Sequence, residues 1–149
     1  MLELERCNSE NKEFIDLIKK LNEDLQERNG VKQDFYDKYN ILPYIETVLI
    51  LKKDGKAVAC GCFKPYDNTS VEIKRMFVKK EYRGNGYSKQ ILRSLEKWAS
   101  ELGFKRAVLE TGKNQLEALG LYKKSNYKRI ENYGPYMGVE HSVCFEKKL

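Results

Sequence analysis

The spacing of apolar residues changes from a strand pattern to a helix pattern at Gly86. Before Gly86, the runs TVLILKK, AVACGCFK and SVEIKRMFVKK predict three antiparallel strands, and an Asp54-Gly55 hairpin turn joins the first two. After Gly86, the apolar residues form one stripe along a helix of about four turns. They are Ile91, Leu92, Leu95, Trp98, Ala99 and Leu102. This switch predicts an α/β protein in which a strand meander leads directly into a helix.

The segments before the meander predict a strand, a helix and one stretch of mixed period. Leu2 and Leu4 alternate with acidic residues, which predicts a short first strand. The apolar residues from Phe14 to Leu25 recur at helical spacing, and Asn29-Gly30 is a typical helix stop. Residues 31–46 are rich in aromatic residues and contain a proline, so they predict a second short helix or an ordered loop.

The segments after the long helix alternate between strand and helix patterns. RAVLET predicts a short buried strand, and Gln115 to Lys124 predicts a helix that ends at Asn126 in a left-handed conformation. YKRIENY and HSVCFEKKL predict two final strands. The order is therefore β-α-(α)-β-β-β-α-β-α-β-β, in an α/β (α+β) chain with a mixed central sheet of about six to seven strands.

The composition is typical of one globular domain. The chain has 149 residues, of which 41% are hydrophobic and 34% are charged, so we expect a single domain over residues 1–149. No apolar run approaches the roughly 18 residues of a membrane-spanning helix. The start MLELERCNSENKEF lacks the basic and then apolar order of a secretory signal, so the expected location is the cytoplasm.

The net charge of +6 indicates that a partner of this protein is anionic. Nucleic acid, a membrane surface and a phosphorylated small molecule all meet that condition. The basic residues are scattered, without a long basic run or an alternation of basic and aromatic residues. The scatter disfavours nucleic acid, so we expect no nucleic-acid partner, although a basic nucleic-acid binder stays an alternative. We expect no membrane partner either, since no apolar run is long enough to span one.

The four cysteines predict buried thiols. Cys7, Cys60, Cys62 and Cys144 lie in apolar, strand-like surroundings, and the spacing of the central pair fits neither a zinc CxxC motif nor a disulfide framework. We interpret them as small core residues in a reducing compartment, and we expect no metal site.

A strand that ends in a glycine-rich turn before a helix is a potential phosphate site. The first N–H groups of such a helix lack backbone partners and lie at the positive end of its dipole. Gly84 and Gly86 allow a phosphate to approach the backbone closely, and Arg83 with Lys79 or Lys80 adds positive charge. The spacing fits neither a P-loop nor a dinucleotide fingerprint, and a tight turn without a ligand is the alternative.

The strand ending in MFV, followed by RGNGYS at the start of a helix, resembles the R/Q-x-x-G-x-G/A acetyl-CoA motif of the GCN5-related N-acetyltransferases (GNAT). On this resemblance, Arg83, Gly86 and Ser88 occupy the three motif positions. Ser88 replaces the usual Gly or Ala, but it is small and keeps its N–H group.

A second resemblance lies downstream, where family members often read N-x-x-A-x-x-L-Y-x-x-x-G-F/Y. This chain has two substitutions in that register, glutamine for asparagine and asparagine for glycine. The matching positions are Gln115, Ala118, Leu121, Tyr122, Asn126 and Tyr127. The order of elements agrees with the family over residues 2–148, and the run from LETGKN to NYGPY is similar to a bacterial subgroup of small proteins assigned as acetyltransferases.

The resemblance implies a GNAT fold whose fourth and fifth strands splay apart to admit acetyl-CoA. It implies an acetyl-CoA-dependent N-acetyltransferase that acts by direct attack on the thioester, with a primary amine of a small molecule or peptide as acceptor. A non-catalytic acyl-CoA-binding or sensor module is the alternative, and a homodimer is left open. The implied cofactor-binding residues are Met76, Phe77, Val78, Arg83, Gly84, Asn85, Gly86, Tyr87, Ser88, Gln115 and Ala118.

Two residues are the candidate catalytic groups. Tyr122 shares one helix face with the preceding motif residues, and a phenol with a pKa of about 10 is protonated at neutral pH and can donate to a thiolate. Glu72 lies four residues before Met76, which predicts the same face of the strand, and histone-acetyltransferase members of the family have a catalytic Glu at the matching place. Glu110 or water is the alternative base, and His141 is interpreted as a surface strand residue.

The acceptor is expected to enter opposite the cofactor. Residues 31–46 and the loop Tyr133-Gly134-Pro135-Tyr136 would line its path. Tyrosines in these segments either bind an apolar or aromatic part of the acceptor or pack in the core. They are Tyr36, Tyr39, Tyr44 and Tyr136.

Overall fold

The computed structural model of the protein describes residues 1–29 and 44–149. Most of the segment 31–46, including Tyr36 and Tyr39, lies outside the described residues, so its prediction stays a prediction. The strands are β1 (Leu2–Cys7), β2 (Thr47–Lys53), β3 (Lys56–Pro65), β4 (Ser70–Val78), β5 (Arg106–Gly112), β6 (Lys128–Ile130) and β7 (Ser142–Lys148). The helices are α1 (Lys12–Asn29), α2 (Tyr87–Glu101) and α3 (Leu116–Lys124).

The strands form one sheet of seven, in the order β1-β2-β3-β4-β5-β7-β6. Neighbouring strands are antiparallel except β4 and β5, which run parallel. The predicted mixed α/β fold and its order of elements are confirmed for the described residues. Because β7 is inserted between β5 and β6, the strand order in space differs from the order along the chain.

The predicted hairpin between β2 and β3 is confirmed. Lys53 pairs with Lys56, and the two residues between them, Asp54 and Gly55, have φ angles of 51° and 83°. Two successive positive φ angles are those of a type I′ turn, whose twist matches that of the flanking strands.

Helices cover both faces of the sheet. On one face, the stripe of α2, with Ile91, Leu92 and Leu95 fully buried, packs on the same cluster as Tyr122 of α3. On the other face, α1 covers a second cluster that includes Leu17. The predicted stripe of α2 ends one turn earlier than expected, because Leu102 follows the helix and is 56% exposed.

The cysteines are core residues, as predicted. Cys60, Cys62 and Cys144 are buried and Cys7 is half-buried, and all have free thiols. Burial raises the pKa of Cys62 to about 12 and that of Cys144 to about 11, so both thiols are protonated at neutral pH. Over residues 1–29 and 44–149, no three His, Cys, Asp or Glu side chains are grouped to hold a metal ion, and no helix is long and apolar enough to span a membrane.

A β-bulge in β4 changes the face of the sheet from which the side chains after it project. The register shifts between Cys60 and Cys62 of β3, and Arg75 in β4 has a φ of 60°. Met76 therefore packs in the cluster under α2, whereas Glu72 lies on the opposite face of the strand. The prediction that these two side chains share one face is wrong, because the bulge inserts one residue into the alternation.

Candidate active site

The splay of β4 and β5 opens a cleft of about 930 Å³. The parallel ladder has only four pairs and ends with Ile73 opposite Leu109. Beyond that pair the two strands diverge, as predicted for the fourth and fifth strands. Lys74 on β4 and Glu110 on β5 are the first residues past the last pair, so they lie at the apex of the splay.

Ten of the predicted cofactor-binding residues line this cleft. They are Met76, Phe77, Val78, Arg83, Gly84, Gly86, Tyr87, Ser88, Gln115 and Ala118. Asn85 is the exception, because its side-chain amide donates to the carbonyl of Tyr82 at 2.9 Å and orders the turn before α2. The two predicted catalytic residues, Tyr122 and Glu72, also line the cleft.

One end of the cleft has the geometry of an anion site. Gly86 precedes α2 with a φ of 77°, and Gln90 makes the first backbone hydrogen bond, to Gly86, at 3.1 Å. The N–H groups of the residues between them are therefore left without a helical partner. A Cβ atom at Gly84 or Gly86 would meet no other atom within 4 Å, which leaves the turn open to a ligand.

Arg83 is held beside this turn by the protein itself. Its Nε donates to the carbonyl of Val78 at 2.9 Å, and its Nη2 lies 3.4 Å from an oxygen of Asp24. The guanidinium therefore has a fixed position next to the helix N-terminus. A fixed cation, open glycines and unpaired N–H groups together fit a diphosphate such as that of coenzyme A.

Tyr122 reaches the cleft from the face of the sheet that α2 covers. It is only 5% exposed, and its ring packs against Tyr127 and Phe145, with ring centroids 5.7 Å and 6.0 Å away. Burial raises the pKa of Tyr122 above its usual value, and the charge of Glu110 raises it further. The hydroxyl is therefore protonated at neutral pH, and no residue of the described segments hydrogen-bonds it.

Glu110 projects from the opposite face of the sheet. Its strand neighbour Leu109 belongs to the cluster under α2, so alternation places the Glu110 side chain on the other side. Burial raises the pKa of Glu110 to about 7, although the Ser142 hydroxyl donates to this carboxyl at 2.7 Å and opposes the rise. A carboxyl that titrates near neutral pH can accept a proton there.

Glu72 is buried, and its carboxyl lies close to three polar side chains. The Tyr133 hydroxyl donates to its carboxyl at 2.7 Å, and Lys64 and Lys74 lie 3.7 Å and 3.9 Å from its other oxygen. Lys74 in turn donates to the Tyr136 hydroxyl at 3.3 Å. Glu72, Lys74 and Glu110 thus form one charged cluster on the face of the sheet away from Tyr122.

Of the four tyrosines predicted to line the acceptor side, the described residues include Tyr44 and Tyr136, and of these two only Tyr136 is buried in the core. Tyr136 is buried and packs against Tyr133, with ring centroids 5.7 Å apart, and Tyr133 packs against Tyr66 at 5.1 Å. Tyr44 is 46% exposed. His141 is half-buried, and it does not belong to the described lining of the cleft.

Sequence and family comparisons agree with this architecture. The model of the Acetyltransferase (GNAT) family matches residues 12–127. An IAA acetyltransferase of Azospirillum brasilense is 31% identical over 68% of this chain and 67% of its own length. N-acetyltransferase 8B of Homo sapiens is 29% identical over 54% of this chain, and the match spans only 37% of that relative.

Solved structures share the fold over nearly the whole chain. A candidate acyl-CoA N-acyltransferase of Klebsiella pneumoniae superposes with a TM-score of 0.81 at 29% identity, and the match covers 100% of this chain and 98% of that one. A GNAT family acetyltransferase of Elizabethkingia anophelis, with acetyl-CoA bound, superposes with a TM-score of 0.71 at 16% identity over 99% and 98%. The second likeness is one of fold.

Proposed function

The chain belongs to the GNAT acetyltransferase family, and from this membership we propose that it transfers an acetyl group from acetyl-CoA to a primary amine, with Tyr122 as general acid and Glu110 as general base. The observation that carries the proposal is the splay of β4 and β5. It leaves a cleft with a protonated phenol on one face of the sheet and a carboxyl of pKa about 7 on the other.

Acetyl-CoA supplies a thioester carbonyl for attack and a thiolate as leaving group. The N–H groups at the start of α2 and the guanidinium of Arg83 bind its diphosphate. Residues 76–78 line the cleft where β5 has diverged, and those of their main-chain groups that do not pair with β3 hydrogen-bond the pantetheine. Gln115 and Ala118 border the pantetheine from the start of α3. A main-chain N–H of Met76 or Phe77 stabilises the developing oxyanion.

Tyr122 stabilises the leaving thiolate. Its raised pKa keeps the hydroxyl protonated over the neutral range. Because a thiol has a pKa near 8.5, complete transfer to the thiolate is uphill, so Tyr122 acts by donating a hydrogen bond as charge develops on the sulfur, and the proton that the amine releases restores the phenol. The ring contacts with Tyr127 and Phe145 fix the direction of the hydroxyl. The donor therefore needs no rearrangement before it acts.

Glu110 takes the proton of the acceptor amine. An alkylammonium has a pKa near 10.4, so the nucleophile must lose a proton before it attacks. Glu110 is preferred over Glu72 because Glu110 lies at the apex of the cleft with a pKa of about 7, whereas both carboxyl oxygens of Glu72 already contact Tyr133 or lysines. We assign Glu72 to holding Tyr133 and Lys74 in place on the acceptor side.

The test is mass spectrometry of a panel of amines incubated with acetyl-CoA and the protein. The panel contains amino acids, polyamines, aminoglycosides, aryl amines and short peptides. A product heavier by one acetyl group identifies the acceptor. Binding of acetyl-CoA in calorimetry, with no product from any amine, would instead favour a non-catalytic acyl-CoA-binding module.

The acid role is tested in the same assay with Tyr122→Phe. This variant should lower turnover by about 100-fold, the lower end of the usual effect of a general acid, and leave acetyl-CoA affinity nearly unchanged. The matched control is Tyr127→Phe, a neighbouring buried tyrosine whose hydroxyl donates to Glu96 at 2.8 Å. The control should lose stability but keep turnover; equal losses of turnover in the two variants would refute the acid assignment.

A further inference from the structure

Lys74 occupies an unusual position for a lysine. Its side chain is only 4% exposed, yet it lines the cleft at the apex of the splay, two residues before Met76. Most lysines of soluble proteins extend into water, where the ammonium is hydrated. The position of Lys74 places an amine inside the protein, at the point where donor and acceptor sides meet.

Two groups of the acceptor side hold the ammonium of Lys74 within the cleft lining. Its Nζ donates to the Tyr136 hydroxyl at 3.3 Å and lies 3.9 Å from Glu72. Burial lowers the pKa of Lys74, whereas the charges of Glu72 and Glu110 oppose that change. A lowered pKa increases the fraction of neutral amine, which is the form that attacks a carbonyl.

We propose that Lys74 is an internal acetyl acceptor, which the protein acetylates when acetyl-CoA is bound and no external amine is present. The inference rests on the proposed function, because it uses the same donor and the same acid and base. It adds a covalent modification site at the acceptor end of the cleft. The modified chain has one neutral amide in place of a buried cation.

The chemistry balances without a further reactant. The ammonium of Lys74 gives one proton to the carboxylate of Glu110 through water in the cleft, because the two groups influence each other by charge without direct contact. The freed lone pair of Nζ forms a bond to the acetyl carbon. The carbon–sulfur bond breaks, and its electron pair leaves with the sulfur, which takes the proton of Tyr122. The nitrogen gives up its second proton, which returns to Tyr122 through solvent. The net products are an amide, the free thiol of coenzyme A and one proton.

The burial of Lys74 makes it possible to distinguish this reaction from uncatalysed acetylation of lysines in solution. A thioester in bulk water reacts with exposed lysines, such as Lys64 on the neighbouring strand, whose side chain is 41% exposed. Lys74 is shielded from bulk water, so acetylation there requires donor bound in the cleft. The ratio of modification at Lys74 to modification at Lys64 therefore distinguishes the two routes.

The experiment incubates the folded protein with isotopically labelled acetyl-CoA and no amine, then maps labelled lysines by peptide mass spectrometry. The expected result is one label per chain, with Lys74 labelled at least about tenfold faster than Lys64, and a slower reaction in Glu110→Gln. Lys74→Arg should lose this label, whereas the matched control Lys64→Arg should keep it. A heat-unfolded sample should show no preference for Lys74.

Three results would overturn the inference. The first is labelling of Lys74 no faster than Lys64 while calorimetry shows acetyl-CoA bound. The second is an equal preference for Lys74 in the unfolded sample. The third is rapid acetylation of an external amine with no label on Lys74 in its absence, which leaves the proposed function standing. Label on Lys74 without product from any amine of the panel would support the inference and contradict transfer to those amines.

Discussion

At the scale of single residues, one physical cause suits both the proposed acid and the proposed base to their roles. Removal from water disfavours the charged form of any group, so burial raises the pKa of Tyr122 and of Glu110 alike. For the phenol, the rise ensures that a proton is present at neutral pH. For the carboxyl, it brings the pKa to about 7, where the group can both accept and release a proton.

The base assignment predicts the pH dependence of the reaction. Glu110 acts when deprotonated, so kcat/KM should be low below pH about 7 and should rise through that value. Glu110→Gln should lower the rate and remove this rise. Ionisation of the amine affects both proteins equally, so the ratio of the two profiles isolates Glu110. A ratio that does not change with pH would exclude it as the base.

Ser142→Ala is a matched test of the same assignment. The Ser142 hydroxyl donates to Glu110 and lowers the pKa of that carboxyl, so its removal should raise the pKa. The rise of kcat/KM should then move to higher pH while the plateau stays within a few-fold. A midpoint that stays in place would show that another group titrates in the profile.

The buried carboxyl of Glu110 also leads us to expect that Glu110→Gln increases the stability of the folded protein. Its pKa rises from 4.5 to about 7 on folding, so the folded state binds the proton more tightly. The contribution of Glu110 to stability is therefore fully present below pH about 4.5 and is lost as the pH rises to about 7, by about 3 kcal/mol in total. Glu110→Gln remains neutral, so it should unfold at a higher urea concentration than wild type at about pH 8, and this difference should shrink at about pH 5. A difference independent of pH would contradict the buried-carboxyl interpretation.

At the scale of elements, the spacing of residues predicted the features that depend on neighbouring residues in the chain. It failed for the features that depend on how one strand pairs with another. The hairpin at Asp54-Gly55, the helix stripe of α2 and the left-handed Asn126, with a φ of 72°, follow from a few neighbouring residues. The bulge at Arg75 does not, because it depends on the register between β4 and β3. Glu72 was therefore predicted on the wrong face of its strand relative to Met76.

The same distinction applies to the candidate site: the residues in motifs could be predicted from the sequence, and the contacts between distant strands could not. The motifs identified the cleft residues and Tyr122 because their signal is a fixed spacing along the chain. The environment of Glu110 carries no such signal, since its partner Ser142 lies on β7, 32 residues away. The insertion of β7 between β5 and β6 creates that contact, and it is a property of the sheet.

Gly61 occupies a closely packed position beside Met76 that no motif indicated. It lies on β3 opposite the bulge, where a Cβ atom would come within 2.7 Å of Ile91 and of the sulfur of Met76. Gly61→Ala should destabilise the protein by about 1–3 kcal/mol, because the core must open to admit a methyl group. It should also weaken acetyl-CoA binding several-fold, because Met76 moves with its strand. Urea unfolding and calorimetry measure the two effects.

Gly120 supplies the control for this substitution. It lies inside α3, and a Cβ atom there would meet nothing within 4 Å. Gly120→Ala should therefore stabilise the protein by up to about 1 kcal/mol, the usual helix preference for alanine. If Gly61→Ala were equally stabilising, the close packing under the bulge would be disproved.

At the scale of the whole molecule, the proposed function assigns the two substrates to opposite faces of the sheet. The proposed acid, Tyr122, lies on the face covered by α2 and α3, and the charged cluster of Glu72, Lys74 and Glu110 lies on the other. The gap between β4 and β5 is the passage between them. The net charge of +6 suits a polyanionic donor, so a nucleic-acid partner is not needed to explain it.

This separation predicts the kinetic order of the reaction. In the proposed function, donor and amine approach from opposite faces, so both occupy the cleft together and the acetyl group passes directly between them. Initial rates measured against acetyl-CoA at several fixed amine concentrations should give intersecting lines in a double-reciprocal plot. An acetylated Lys74 is a stable amide and cannot pass its acetyl group on, so self-acetylation should not change this pattern. Parallel lines would require a covalent acetyl-enzyme on the pathway, and they would contradict the separation of the substrates by the sheet.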